Sequence, residues 1–287
     1  MNRQGLTNAM TVDVEDYFQV SAFEPYVDRA EWDGHPCRVE ANVDRILGLF
    51  DEAGVRGTFF TLGWIASRYP QMVRRIADAG HEIASHGWEH VRVVRQDEAA
   101  FRADVVRTKG LLEEITGQEV KGYRAASYSI GQDNLWALEI LEETGHRYSS
   151  SIFPIRHDHY GMPEAPRFAF RPHQGDLLEF PVTTLRLFGR NFPCGGGGWF
   201  RLFPYGLSRW ALEQVNRRDR QAAIFYFHPW EIDPGQPRRG DLDRRTRFRH
   251  YLNLEHMERR LQRLLADFRW GRLDQVLYEP LAGGSQG

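Results

Sequence analysis

Four times between residues 9 and 152, a short apolar run is followed by a segment of helical periodicity that stops at a glycine. The apolar runs are 9–14, 57–62, 81–84, 122–124 and, after the fourth helix, 147–152. The helical segments are 39–53, 65–79 (with a second start at Pro70), 97–116 and 133–144, closed by Gly54, Gly80, Gly117 and Gly145. Glycine is favoured there because the residue after the last helical turn commonly takes a left-handed conformation. Strands that alternate with helices in this way pair in parallel, with the helices outside. The pattern predicts an α/β chain: a distorted (β/α) barrel of about seven βα units.

After residue 153 the pattern changes. Prolines, glycines and aromatics dominate 154–198, and Gly195, Gly196, Gly197 and Gly198 stand in a row. Residues 154–221 read as a loop-rich insertion with short strands at 177–180 and 183–188 and a helix at 207–217. The glycine run reads as a flexible or close-packed loop, because a phosphate cradle needs a lysine and a helix start that are missing here. Residues 222–227 form a strongly apolar strand that delivers His228, and 246–268 reads as one long basic amphipathic helix. One domain over 1–287 is expected, with its core in 7–153 and 222–230, the insertion in 154–221 and a C-terminal helical extension in 231–287. An apolar fraction of 41% over 287 residues supports such a core.

Charge excludes some classes of partner. Lys+Arg (37) and Asp+Glu (39) nearly cancel and no basic tract runs for five residues, which argues against nucleic acid. The basic helix reads as a solvated face rather than a membrane contact. No apolar run reaches the ~18 residues of a membrane span, and residues 1–10 lack the apolar stretch of a signal peptide. Cys37 and Cys194 form neither a Cys-x-x-Cys pair nor a disulfide framework. The expectation is a cytoplasmic protein in a reducing compartment. The sequence fixes no oligomeric state.

Chemistry-bearing residues gather where the predicted strands end. Asp13, Glu15 and Asp16 follow the first strand, His86 and His90 the third, Arg124 the fourth and His228 the last strong one. In a parallel barrel these ends converge on one face, where active sites are built. His86 and His90 stand four residues apart, so their imidazoles can point the same way. Two imidazoles and a carboxylate are a common ligand set for a divalent transition metal and leave positions open for substrate and water. His157 and His159 read as part of a loop rather than a second metal site. Of the tryptophans Trp88, Trp136, Trp199 and Trp230, most are expected to anchor the core; Trp230 lies two residues from His228 and is the first candidate for sugar stacking. Tyr128 and Trp88 are the other candidates for substrate contact.

Asp13-Val14-Glu15-Asp16, Ser85-His86-Gly87-Trp88-Glu89-His90, Tyr123-Arg124-Ala125-Ala126-Ser127 and Phe227-His228-Pro229-Trp230 together resemble the motifs of the polysaccharide deacetylases, the NodB-like carbohydrate esterase type. The resemblance covers about residues 7 to 270. Asp13 to Phe18, Gly189-Arg190-Asn191, Gly196-Gly197-Gly198 and His228-Pro229-Trp230-Glu231 look closest to the subfamily linked to exosortase (PEP-CTERM) loci. The resemblance implies a barrel of the deacetylase type, Asp13 as general base, His86 and His90 as metal ligands, Arg124 as the residue that orients the base, and His228 as general acid. Two departures stand out. A valine separates Asp13 from Glu15 where relatives have adjacent aspartates, so the third ligand is Glu15, which shares a strand face with Asp13, or Asp16; Glu15 is favoured. The aspartate usual in the fourth motif is Ser149, which bears on the setting of the acid histidine.

The implied activity is hydrolysis of N-acetyl groups on an amino-sugar polysaccharide or its lipid-linked precursor, in exopolysaccharide biosynthesis. The implied cofactor is a divalent metal: zinc first, with cobalt or nickel as alternatives. The partner is an N-acetylated carbohydrate. A small cyclic-amide hydrolase and a catalytically silent metal- or sugar-binding module are the competing readings.

Overall fold

The computed structural model describes residues 5–156 and 161–283; His157 and His159 lie outside the described residues. Among the described residues, ten strands occur in the order β1 Thr7–Val14, β2 Thr58–Thr61, β3 Glu82–Ser85, β4 Gly122–Tyr123, β5 Tyr148–Ser149, β6 Leu178–Glu179, β7 Thr184–Leu187, β8 Arg190–Pro193, β9 Ile224–Phe227 and β10 Arg269–Gly271. Seven pair in parallel in the order β9-β1-β2-β3-β4-β5-β6, and β10 pairs in parallel with the first residues of β1. The antiparallel hairpin β7–β8 stands apart from this sheet. β2, β3 and β9 are buried at every position, as strands covered on both faces must be. The expected barrel-like parallel sheet is borne out.

Helices α1 Val39–Ala53, α2 Gly63–Arg68, α3 Pro70–Asp78, α4 Glu98–Thr116 and α5 Trp136–Glu143 carry the chain back between the early strands. Their ends follow local chemistry. Asp97 caps α4 by accepting from Ala100 N–H at 2.8 Å. Gly54 and Gly117 close α1 and α4 at φ 64° and 67°, where a side chain would be strained. Pro70 opens α3, so the expected 65–79 helix is two helices. α1 buries Val43, Ile46 and Phe50 completely, each stabilising by ~1.5–3 kcal/mol.

The second half departs from expectation in three places. Within the supposed insertion, β6 continues the barrel wall by pairing Leu178 and Glu179 with Tyr148 and Ser149. The rest of that stretch includes α6 Gly197–Leu202 and α7 Tyr205–Gln214. The 231–287 extension holds more than helices, since β10 joins β1. The long basic helix is broken into α8 Arg244–Tyr251 and α9 Leu254–Asp267. Leu252 is extended and Asn253 takes φ 52°. The break is held by Asn253, whose Nδ2 donates to the Arg201 carbonyl, and by Arg201, whose Nη1 donates to the carbonyls of His250 and Leu252. Among the described residues, no helix is long and apolar enough to cross a membrane.

Candidate active site

The C-terminal ends of β1, β3, β4 and β9 open into a cleft of about 690 Å³ lined by Asp13, Glu15, His86, His90, Tyr128 and His228, among others. β1 places Asp13 at its end, and the chain turns immediately so that Glu15 also faces inward; both are 2% exposed. β3 runs into the loop that carries the two histidines. His86 N–H continues the ladder by donating to Thr61 O. The loop is clamped by Gly63 and Trp64 N–H groups donating to the carbonyls of Gly87 and Trp88, and by Asp104, which accepts from Trp88 N–H through both oxygens at 3.1 Å. Gly87 at φ 73° and His90 at φ 53° complete the turn.

Glu15, His86 and His90 each offer a ligand atom within 4.8 Å of the others, all buried. The chemistry of these donors fits a divalent cation. His86 Nδ1 lies 2.8 Å from the Arg124 carbonyl, which can only accept, so the proton is on Nδ1 and the Nε2 lone pair is free. Such an outer hydrogen bond orients an imidazole for ligation. Burial lowers the pKa of both histidines, keeping them neutral. Among the described residues, Glu15 Oε2 is buried without a hydrogen bond although it stands 3.0 Å from His90 Nε2, and His90 Nδ1 has no partner either. Burial pushes the Glu15 carboxyl up to about 7 against the pull of His228, the mark of a carboxylate short of positive charge.

Asp16 is not in this group, and its candidacy as a ligand is corrected. Its carboxylate accepts from the backbone N–H groups of Tyr17, Arg38 and Val39 at 2.8, 2.5 and 2.9 Å. It therefore anchors the start of α1, where an anion is favoured, and has no side-chain oxygen turned to the cleft for an ion.

Asp13 and Arg124 form a buried pair. Arg124 Nη1 donates to Asp13 Oδ1 at 2.6 Å and to Thr11 Oγ1 at 2.8 Å. Its Nε and Nη2 donate to the carbonyl and hydroxyl of Ser150, and its guanidinium lies 4.0 Å from the Phe60 ring centroid. This accounts for the serine run after β5. Ser149, at the departure in the fourth motif, is fully buried and donates to Ser151 Oγ at 2.8 Å. Ser151 Oγ in turn accepts from Ala125 N–H, and Ser149 is not among the residues that line the cleft.

His228 stands across the cleft, with Nε2 3.5 Å from Glu15 Oε1 and 3.9 Å from Asp13 Oδ2. Burial opposes its charge, but Glu15, Glu231 and Asp13 together raise its pKa to about 9. Trp230 stacks on it at 5.3 Å and donates Nε1–H to Glu15 Oε1 at 3.2 Å. The bond holds the carboxylate, and Trp230 also lines the cleft, with 6% of the residue exposed there. Trp230→Phe keeps the stack and removes the donor. It is expected to weaken the binding of a divalent ion by ~10–100-fold, read by competition with a chelator; unchanged affinity would mean that the bond contributes nothing.

The remaining candidates divide. Tyr128 lines the cleft, its ring edge-on to Tyr226 at 4.8 Å. Trp88 does not line the cleft: it packs over Gly63, where a Cβ would come within 2.3 Å of the ring, and under the Arg107 guanidinium at 3.3 Å. It anchors the histidine loop, and its candidacy for substrate contact is corrected. Trp136 packs on Phe101, while Trp199 lines the cleft. Two residues carry more of the site than the sequence suggested: Glu231, hydrogen-bonded to His228, and Arg201, paired with Glu231. The spacing of three between His228 and Glu231 was the available signal.

Residues 31–149 match the family described as polysaccharide deacetylase, and residues 150–278 match a domain of unknown function (DUF3473). A peptidoglycan-N-acetylglucosamine deacetylase from Bacillus cereus is 32% identical over 96 residues, 33% of this chain and 35% of that protein. The chain spans about a third of the length of the curated relatives it matches. A crystal structure from Mycobacterium smegmatis, provisionally described as a polysaccharide deacetylase, superposes with a TM-score of 0.65 at 23% identity, covering 99% of this chain and 92% of that one. Puue allantoinase superposes at 0.59 with 16% identity, covering 96% and 90%. The likeness to polysaccharide deacetylases lies in residues 31–149, and the likeness of fold extends over the whole chain.

Proposed function

We propose that this chain, whose residues 31–149 carry the polysaccharide deacetylase pattern, is a metal-dependent hydrolase that removes N-acetyl groups from an amino-sugar polymer. The observation that carries the reading is the arrangement of one cleft: Glu15, His86 and His90 grouped on its floor, the Asp13–Arg124 pair beside them and His228 across from it.

Glu15, His86 and His90 would hold the ion, and a divalent transition metal there supplies Lewis acidity for the acyl carbonyl and lowers the pKa of water. Zinc suits two imidazoles and a carboxylate, with cobalt or nickel as substitutes. Asp13 keeps one oxygen on Arg124 and turns the other toward the cleft, where it takes the proton of the attacking water. Arg124 fixes that carboxylate in place through a hydrogen bond to a charged group, stronger than a neutral one. His228 gives its Nε2 proton to the nitrogen as the C–N bond breaks, and the products are acetate and a free amine. A cleft of about 690 Å³ with Trp199 and Phe248 among its lining residues has room for a sugar chain. The finer reading is an exopolysaccharide or its lipid-linked precursor, based on the sequence pieces that resemble the exosortase-associated subfamily.

Acetate release from a panel of N-acetylated chitooligosaccharides, set beside ring opening of allantoin, tests the substrate class. Metal-dependent acetate with no allantoin turnover is expected. Turnover of allantoin alone would move the assignment to small cyclic amides. Tight binding of oligosaccharide with neither reaction would make the chain a silent binding module.

A further inference from the structure

His228 is held from behind by a buried ion pair. Its Nδ1 lies 3.2 Å from Glu231 Oε2, and its backbone N–H donates to the same oxygen at 3.0 Å. Glu231 Oε1 accepts from Arg201 Nε at 2.9 Å, with side-chain exposures of 1% and 3%. Arg201 is fixed in turn by the carbonyls of His250 and Leu252 at 2.9 and 2.6 Å, which the break between α8 and α9 turns toward it. The start of α6 presses on the same carboxylate: a Cβ on Gly197 would stand 2.0 Å from Glu231 Oε2. That close approach explains why the glycine run needs glycine at this position. Beside a guanidinium, Glu231 is a carboxylate and can only accept, so the His228 proton facing it is on Nδ1. Nε2 is then the atom that faces Asp13 and Glu15. Ser149, by contrast, donates its hydroxyl to Ser151 Oγ and does not line the cleft that holds this imidazole.

We propose that Glu231, held by Arg201, is the positioning residue of His228: it keeps a proton on Nδ1 and presents Nε2 to the leaving nitrogen. The proposal rests on the reading of His228 as the acid. As the C–N bond breaks, the electron pair stays on nitrogen and the Nε2 proton moves to it. The Nδ1 proton stays bonded to Glu231, and the histidine is left neutral. The carboxylate that orients the acid comes from the histidine's own loop, three residues on, and not from the strand that bears Ser149.

The test uses the full chain with zinc restored and compares wild type, Glu231→Gln, Glu231→Asp and Gly197→Ala at equal metal content. The first readout needs no turnover: the far-downfield proton resonance of His228 Nδ1–H, assigned by its loss in His228→Gln. It is expected in wild type and in Glu231→Asp, and lost or moved upfield in Glu231→Gln. The second compares kcat on an acetylated chitooligosaccharide with kcat on 4-nitrophenyl acetate, whose leaving group needs no proton. On the amide, Glu231→Gln is expected to lose ~10²–10³-fold in kcat with KM little changed, and on the ester at least ten-fold less than that. A resonance that survives in Glu231→Gln, or equal losses on both substrates, would overturn the proposal. Should Glu231→Gln fail to fold with Arg201 left unpaired, Gly197→Ala keeps both charges while displacing the carboxylate and is expected to show the same split. Should wild type cleave no amide, the functional reading fails, and the resonance alone decides whether Glu231 positions His228.

Discussion

His86→Ala is expected to leave a folded chain that no longer retains a divalent ion and no longer releases acetate. Two ligands remain after the substitution, Glu15 and His90, too few to close a transition-metal site against water. The ion's share of transition-state stabilisation is several kcal/mol, so activity should fall by ~10³–10⁵-fold. Folding pays a smaller penalty. The Arg124 carbonyl loses the Nδ1–H donor at 2.8 Å, and a buried acceptor left without a partner costs ~1–3 kcal/mol. Metal analysis of the purified variant, beside a thermal melt, separates the two effects. A variant with full metal occupancy would remove His86 from the ligand set.

Asp13→Asn is expected to behave differently: metal retained, acetate release lost. The substitution changes no ligand, and the asparagine Oδ1 can still accept from Arg124 Nη1, so the geometry of the pair survives. What disappears is the proton acceptor, worth ~10²–10⁴-fold for general base catalysis. The guanidinium also loses its buried counter-charge. Breaking such a pair outright costs ~3–5 kcal/mol, and the retained hydrogen bond should hold the loss below that. Rates and metal content measured together on one preparation check both halves. Wild-type kcat in Asp13→Asn would assign the base elsewhere, and loss of metal with activity would make Asp13 part of the ion's site.

Periodicity and end signals made the first half of the fold legible. α1 has its expected bounds, Pro70 marks the start of α3, and Gly54 and Gly117 close their helices. The second half was harder for physical reasons. β6 is two residues long, too short to show a period, and only its pairing with β5 makes it part of the wall. The basic stretch reads as one helix because its apolar spacing runs across Leu252 and Asn253. The break depends on Arg201, about fifty residues earlier in the chain, capturing carbonyls there. The convergence of Asp13, Glu15, His86, His90, Arg124 and His228 was legible because strand ends of a parallel barrel share one face. The distribution of roles within it was not. Asp16 and Trp88 lie beside functional residues in sequence, yet one anchors α1 and the other packs behind the histidine loop. Glu231 is announced only by its spacing of three from His228, and Arg201 gains its importance from a buried contact with Glu231 that no local pattern announces.

The most direct measurement is acetate release from an N-acetylated chitooligosaccharide panel by metal-stripped protein, followed by zinc titration with the bound ion counted. The expected result is silence without metal and recovery as about one ion per chain is bound, with no recovery in His86→Ala or His90→Ala. Undiminished acetate release by the metal-free chain, or one ion held equally well by both variants, would contradict the assignment of Glu15, His86 and His90 as the metal site of a deacetylase.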